Sequence, residues 1–531
     1  MKRWGLRALF SVYTLVLVAC GGSDGNGDAP SAVADLTLSG RVTYDFIPLT
    51  LPEGSEYGAA LDYSALEPRP VRGAPVLLLD DQGKELANTV TDHQGEYSFV
   101  VPTQKKVQVR VLAAARQEGA PAWNLEIRDN TQDNALYALD GALRCTGEQD
   151  SRRDLHAASG WTHNAYTEPR AAAPFAVLDT LYEGQHRILK YSPEQIFPPL
   201  TVYWSVDNRP AQGDVALGEI GTSYYLDGDI YLLGAADLDT DEFDRHVVMH
   251  EWGHYLEHRL YRSDTPGGPH SRQSFLDMRV AFSEGFANAF AAMMLDDPLF
   301  RDTLGPVQGK GGSFVVGEEG APSQGWYSQV SVGNIVYRYY ASEDNQREYG
   351  FLHQALSDQR YQEAPSLTSI YLFADQVHQY RPGALDEMLI QEQVVGRGQW
   401  GAGESNHGGN DAALPVYRGL IPTGEHQYAC SGAQHGQYNK LLNRQYVALD
   451  VNVEGEYVID LEADNTSDAD LGYTLFQRGA ILARSEQQGL SRVQHAVKLS
   501  PDEYVLEVYD WRNLDANGPG ADVCITVRVH P

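Results

Sequence analysis

The sequence predicts a multidomain chain in which a central α+β domain is flanked by two all-β sandwich domains. Three observations lead there. The chain has 531 residues, more than one ordinary core holds, and 42% of them are apolar. Short alternating strand patterns fill residues 36–114 and return from Gln445 onward. Between them, strand-like runs give way to long helical patterns, the order expected of an α+β domain.

The chain opens with an export segment. Lys2, Arg3 and Arg7 precede an apolar run from Ala8 to Val18. That run is too short to span a bilayer comfortably and has the layout of a signal peptide over residues 1–20. Its end, Leu17-Val18-Ala19-Cys20, resembles a bacterial lipobox. The resemblance implies that Cys20 is lipidated, becomes the mature N-terminus and anchors the protein to a membrane of the cell envelope. An ordinary cleaved signal and a secreted product are the alternative. Residues 21–35 follow as a flexible tether. The formal net charge of -32 repels phosphate backbones and argues against nucleic acid as a partner. Composition leaves the oligomeric state open.

Residues 36–114 carry runs such as Val76-Leu77-Leu78-Leu79 and Tyr97-Ser98-Phe99-Val100-Val101, with turns at Asp81-Gln82-Gly83 and His93-Gln94-Gly95. Strands this short and closely spaced predict an antiparallel sandwich. The stretch PVRGAPVLLLDDQGKELANTVTDHQGEYSFVVP resembles the transthyretin-like or carboxypeptidase regulatory-like modules of secreted proteins. Residues 426–531 hold the second sandwich, with strands in YVALDVNV, EYVIDLEAD, LGYTLFQRG, DEYVLEVYD and DVCITVRV. This block resembles the pre-peptidase C-terminal domain appended to many secreted bacterial peptidases. Export permits a disulfide, and Cys430 and Cys524, which bracket this domain, are the chosen pair.

Residues 115–425 form the central domain, with helices expected over 243–261, 280–296, 331–341 and 366–380. The first holds HVVMHEWGHYLEH, with histidines at 246, 250, 254 and 258. Helical residues four apart differ by about 40° around the axis, so an adjacent pair shares an ion while all four drift by about 120°. Apolar bulk from Val248, Met249, Trp252 and Leu256 surrounds the 250/254 pair, whereas Arg259 and Arg262 mark a wetter end near His258. The pair chosen is therefore His250 and His254, in the spelling H-E-x-x-H. The inverted H-x-x-E-H spelling from 254 to 258 is an accident of spacing, and His246 is an outer neighbour of the ion.

A catalytic zinc usually has three protein ligands and an open position. About thirty residues on, AFSEGFANAF forms another helix with Glu284 near its start. The span from HEWGH to SEGFANAF looks like the arrangement of the gluzincin peptidases, the group of thermolysin and fungalysin, nearest to the fungalysin form. The resemblance implies one catalytic Zn²⁺ on His250, His254 and Glu284. It gives Glu251 the role of general base for a metal-activated water, on a protein or peptide substrate. Two departures stand out. Asn288 occupies the place where the thermolysin group has an aspartate behind a zinc histidine. The oxyanion histidine is missing from GWYSQVSVGNIVYRYY, leaving Tyr327 as the candidate donor, with Tyr337 behind it. Gly253, costly inside a helix, suggests close approach of a neighbouring backbone.

Two further stretches carry alternatives. The strand Asp229–Gly234 is either an edge that binds substrate by strand addition or an internal strand. Asp237, Asp239, Asp241 and Asp244 begin like a calcium loop, but Glu242 replaces the turn glycine and position twelve is Val248. Ca²⁺ is thus without support, and capping of the zinc helix explains these residues better. The sequence therefore predicts an exported zinc endopeptidase. The rival is a surface binding or adhesion protein with an inactive peptidase-like centre.

Overall fold

A computed structural model describes residues 35–52, 57–318, 320–381, 383, 385–422, 425–464, 468–485 and 487–531. The export signal, Cys20 and the tether up to residue 34 lie outside the described residues. Among the described residues no helix is long and apolar enough to cross a membrane.

The first sandwich is built on the long strand Asp35–Phe46, which alternates buried and exposed positions along its length. It pairs antiparallel with Glu96–Pro102 through its first half and with Glu67–Pro70 through its second. The facing sheet places Pro75–Leu79 between Glu85–Val90 and Lys106–Leu112. Both expected turns form. Asp80 accepts from the N–H groups of Gln82 and Lys84, Asp92 accepts from those of Gln94 and Glu96, and Gly83 and Gly95 take positive φ.

The boundary at residue 114 needs correction. There the chain crosses into the central sheet through Ala114–Gln117 and Trp123–Asp129, then returns. Ala138–Asp140 and Arg144–Cys145 pair with Lys106–Leu112, while Ser151–Arg152 and Leu155–Ala157 run parallel to the first strand. The sandwich thus closes at 157, and its last strands, two or three residues each, are too short to carry a readable period.

The central sheet runs Ala135–Leu136, Trp123–Asp129, Leu200–Trp204, Asp229–Leu232, Tyr224–Leu226, and its three middle strands are parallel. Asp229–Leu232 is therefore internal, and the outer position belongs to Tyr224–Leu226. Helix α1 (Ala173–Leu189) links two parallel strands. Its Asp179 accepts from Tyr44 Oη at 2.8 Å and pairs with Arg72 at 2.5 Å, which joins the first sandwich to the central domain.

Helix α2 (Arg245–Arg259) packs beside this sheet, α3 (Met278–Leu295) packs on α2, and α4 (Gln329–Ala341) on α3. Caps set their ends: Asp277 accepts from the Arg279 N–H at the start of α3, and Ser328 from the Ser331 N–H at the start of α4. Every residue from Met278 to Met294 is buried, so α3 is the central helix of the domain. Small residues let its neighbours approach. A Cβ on Gly253 would lie 3.1 Å from the Phe290 ring and 3.2 Å from Ala287 Cα, the close approach expected there. A Cβ on Gly285 would lie 2.6 Å from Val332 and 2.7 Å from the Gln329 carbonyl oxygen.

The second sandwich starts earlier than 426, because Tyr417–Leu420 runs parallel to Arg444–Val451 in its five-stranded sheet. Its four-stranded sheet pairs His426–Ser431 with Val523–His530, and Cys430 and Cys524 form the expected disulfide between them. This sandwich docks on the start of α3. Arg279, 2% exposed, lies between Asp277 and Glu507, Arg444 meets Glu507 at 2.6 Å, and Tyr446 donates to Asp277.

The acidic stretch before α2 also needs correction. Asp244 stands at the N-cap position, yet its side chain makes no capping bond. It accepts instead from the Thr303 N–H at 2.6 Å and the Thr303 hydroxyl at 2.9 Å. Oxygens of Asp239, Asp241 and Asp302 lie within 4.8 Å of one another. Burial, then the charge of Asp302, pushes Asp239 up to about 7. Tertiary partners outcompeted the local cap that sequence spacing suggested.

Two predictions follow from this packing and this charge cluster. Gly285→Ala forces α3 from α4 and should cost about 1–3 kcal/mol. In Gly253→Ala the gain in helix propensity, about 1 kcal/mol, offsets a milder squeeze. Urea denaturation followed by circular dichroism ranks the two, and equal midpoints would refute the close-approach account. A carboxyl raised in the folded state loses stability as pH climbs from its unfolded value near 4 through about 7. Asp239→Asn should therefore raise the melting temperature at pH 8 and change it little at pH 4. Scanning calorimetry at the two pH values checks this.

Candidate metal centre

The geometry of α2 sorts its four histidines. His250 Nε2 and His254 Nε2 face each other at 3.1 Å. His258 turns away, with Nδ1 on Tyr225 Oη at 2.7 Å. His246 is buried and its Nε2 meets the Asp297 carbonyl at 3.0 Å, so it is not the outer neighbour of the pair that its position suggested. Burial lowers His246 to about 4, which keeps it neutral.

From α3, Glu284 brings Oε2 to 3.3 Å from His250 Nε2 and 3.6 Å from His254 Nε2. The three residues offer ligand atoms within 4.8 Å of one another. Asn288, one turn further on, places Oδ1 3.1 Å from His250 Nδ1, the contact its position implied. His254 Nδ1 has a different partner, Ser283 Oγ at 3.1 Å. Ser283 donates its own proton to Glu257 Oε2 at 2.6 Å, so it accepts from the imidazole. Both Nδ1 atoms thus have an acceptor and each Nε2 is turned inward, the ring orientation that a metal requires.

The electrostatics agree. Burial opposes charge on Glu284 and on His254 alike. Their mutual attraction outweighs it, holding Glu284 well below the usual carboxylate range and His254 well above the usual imidazole range. Glu284 Oε2 is buried, and its contacts are with the ring nitrogens of His250, His254 and His270, none of hydrogen-bonding geometry. Two inward nitrogens and one unsatisfied carboxylate oxygen are the donor set of a catalytic zinc site, so the residues present fit that ion. Glu251, which follows His250, is buried, and its charge is felt by His254.

Three contributors escaped the sequence reading. Ser283 and Glu257 had a signal: one directly precedes Glu284, and the other is the glutamate of the inverted spelling, three residues after His254. Glu257 serves the centre as a partner of Ser283 rather than as a ligand. His270 had none. It sits in the connection between α2 and α3, with Nε2 3.3 Å from Glu284 Oε2 and Nδ1 3.0 Å from Gln329 Oε1. Tyr327, by contrast, is not an oxyanion donor in this arrangement. Its hydroxyl donates to Asn406 Oδ1 at 2.8 Å, and its ring stacks on Phe275 at 4.9 Å.

A search of curated proteins gives no match. Among solved structures, similarity is found to the pre-peptidase C-terminal domain of collagenase from Bacillus anthracis. It shows 11% identity and a TM-score of 0.17, covering 21% of this chain and 93% of that one. The periplasmic g-type lysozyme inhibitor PliG of Aeromonas hydrophila matches with 13% identity and a TM-score of 0.15, covering 21% and 96%. A carbohydrate binding module from Cellvibrio mixtus lichenase 5A matches with 13% identity and a TM-score of 0.12, covering 19% and 86%. Residues 198–347, the segment that carries α2, α3 and α4, match the family model of the Mycolysin C-terminal domain, so this part of the chain is similar to a peptidase-associated domain.

Proposed function

We propose that the chain is an exported zinc-dependent endopeptidase of the gluzincin type, acting on protein or peptide substrates. The observation that carries this reading is the convergence of His250 Nε2, His254 Nε2 and Glu284 Oε2, with each imidazole fixed through Nδ1. The match of residues 198–347 to a peptidase-associated domain supports it. The ion would be held by His250, His254 and Glu284. When bound, zinc supplies Lewis-acid polarisation of a carbonyl and acidifies water.

The chain's own residues do the rest. Glu251 takes the proton of the attacking water and delivers it to the leaving amine nitrogen. Asn288 orients His250, and Ser283 with Glu257 orients His254. The apolar bulk of α3 around Glu284 keeps bulk water away from the carboxylate. Cys20 provides a lipid attachment that would hold the enzyme at the cell envelope.

A surface binding protein with an inactive centre is the second reading. The engagement of the Tyr327 hydroxyl by Asn406 favours it, because that leaves the oxyanion role unassigned to a tyrosine.

Purified wild-type protein should bind one zinc and cleave members of a broad peptide library, and chelation followed by zinc addition should abolish and restore cleavage. Glu251→Gln should keep the zinc and lose turnover by about 10²–10⁴-fold. Full activity in that variant would refute the assigned base. Stoichiometric zinc in the wild type without cleavage of any peptide would favour the binding protein.

A further inference from the structure

We propose that His270 is a positioning residue for Glu284 and that the second sandwich sets it in place. The inference rests on the reading of His250, His254 and Glu284 as a zinc site. Each imidazole there has its own orienting partner, Asn288 for His250 and Ser283 for His254. Glu284 lacks one on its own helix, and His270 supplies it. Gln329 Oε1, at the start of α4, accepts from His270 Nδ1 at 3.0 Å and turns Nε2 towards Glu284 Oε2 at 3.3 Å, an ion pair of the protonated ring. The partners that orient a ligand set its direction and its donor strength.

His270 is one-third exposed and belongs to a loop, so its place needs an external cause. That cause comes from the connection 432–443 of the second sandwich, which grips the loop on both sides of His270. Before it, Lys440 Nζ donates to the Pro269 carbonyl at 2.5 Å and Asn439 Nδ2 to the Gly267 carbonyl at 2.7 Å. After it, the Leu441 N–H donates to the Phe275 carbonyl at 3.0 Å, the Asp277 N–H donates to the Asn439 carbonyl at 3.0 Å, and His435 stacks on Phe275 at 4.6 Å. Gly268 has φ +95°, and a Cβ there would lie 2.1 Å from the Tyr438 ring. The loop is therefore shaped to this surface. The carbonyl held by Lys440 is the one directly preceding His270, so a loss at Lys440 is transmitted to the imidazole through a single peptide unit.

The test measures zinc affinity by chelator competition on the full chain, with no substrate present. His270→Ala should weaken zinc binding by about 10–100-fold. His270→Gln, which keeps a nitrogen near Glu284, should recover part of the loss. Lys440→Met should weaken binding in the same direction by a smaller factor. In the double variant the Lys440 effect should vanish, because it acts through His270. In the cobalt-substituted protein, the visible spectrum should shift in His270→Ala, a change that mere loop loosening would not produce. Wild-type affinity in His270→Ala, or a Lys440 effect that persists undiminished in its absence, would overturn the proposal. Failure of the wild type to bind zinc at all would instead refute the metal-site reading on which it rests.

Discussion

The centre depends on one constraint: a carboxylate, Glu284, is carried on a helix with no exposed face. A charge in that position cannot be left unmatched, because desolvation costs several kcal/mol that only close partners offset. The surroundings of α3 answer that requirement. Two imidazoles converge on the carboxylate from α2, and a third approaches from the connecting loop. The attraction is strong enough to hold His254 charged against the cost of its own burial. A divalent ion would compete with that proton for the same lone pair, so metal binding at this site is coupled to proton release.

Burying α3 also fixes what its neighbours are. Close approach of α2 and α4 requires Gly253 and Gly285, and the second of these stands beside Glu284, so packing and ligand placement cannot be varied separately. At the start of α3, Asp277 caps the helix and suits its positive end, whereas Arg279 does not. Arg279 is offset by Asp277 and by Glu507 of the second sandwich, with Arg444 completing the network. The second sandwich is thus tied to the helix that carries Glu284 by buried charge, a contact that is costly to break from one side.

What could be read in the sequence follows from the range of each interaction. The helices of HEWGH and SEGFANAF were legible because their pattern repeats locally, and the pairing of His250 with His254 follows from helical drift together with the apolar residues around that pair. Asn288 was legible for the same reason, one turn from Glu284. The return of the chain to the first sandwich was not, since strands of two or three residues such as Ser151–Arg152 have no period. Asp244 was misread because Thr303, 59 residues away, wins its carboxylate from the local cap. His270 and the hydroxyl of Tyr327 were unreadable because loop conformation and long-range hydrogen bonds decide them. Asn406 is 79 residues from Tyr327.

The two candidate ligand histidines are backed unequally, and this bears on the departure at position 288. A carboxylate behind an imidazole raises its donor strength more than a neutral carboxamide does. Asn288 gives His250 only the carboxamide. Behind His254, Ser283 relays to Glu257, a carboxylate 2% exposed, which also lies 3.4 Å from Nδ1. The negative charge missing on one side of the centre is therefore present on the other, supplied by α2 itself. As ligands of an ion, His254 would be the stronger donor and His250 the weaker, so substitution at Glu257 should disturb the centre more than substitution at Asn288. The glutamate of HYLEH, discarded as a ligand, thereby takes the place of the acid that the α3 pattern lacks.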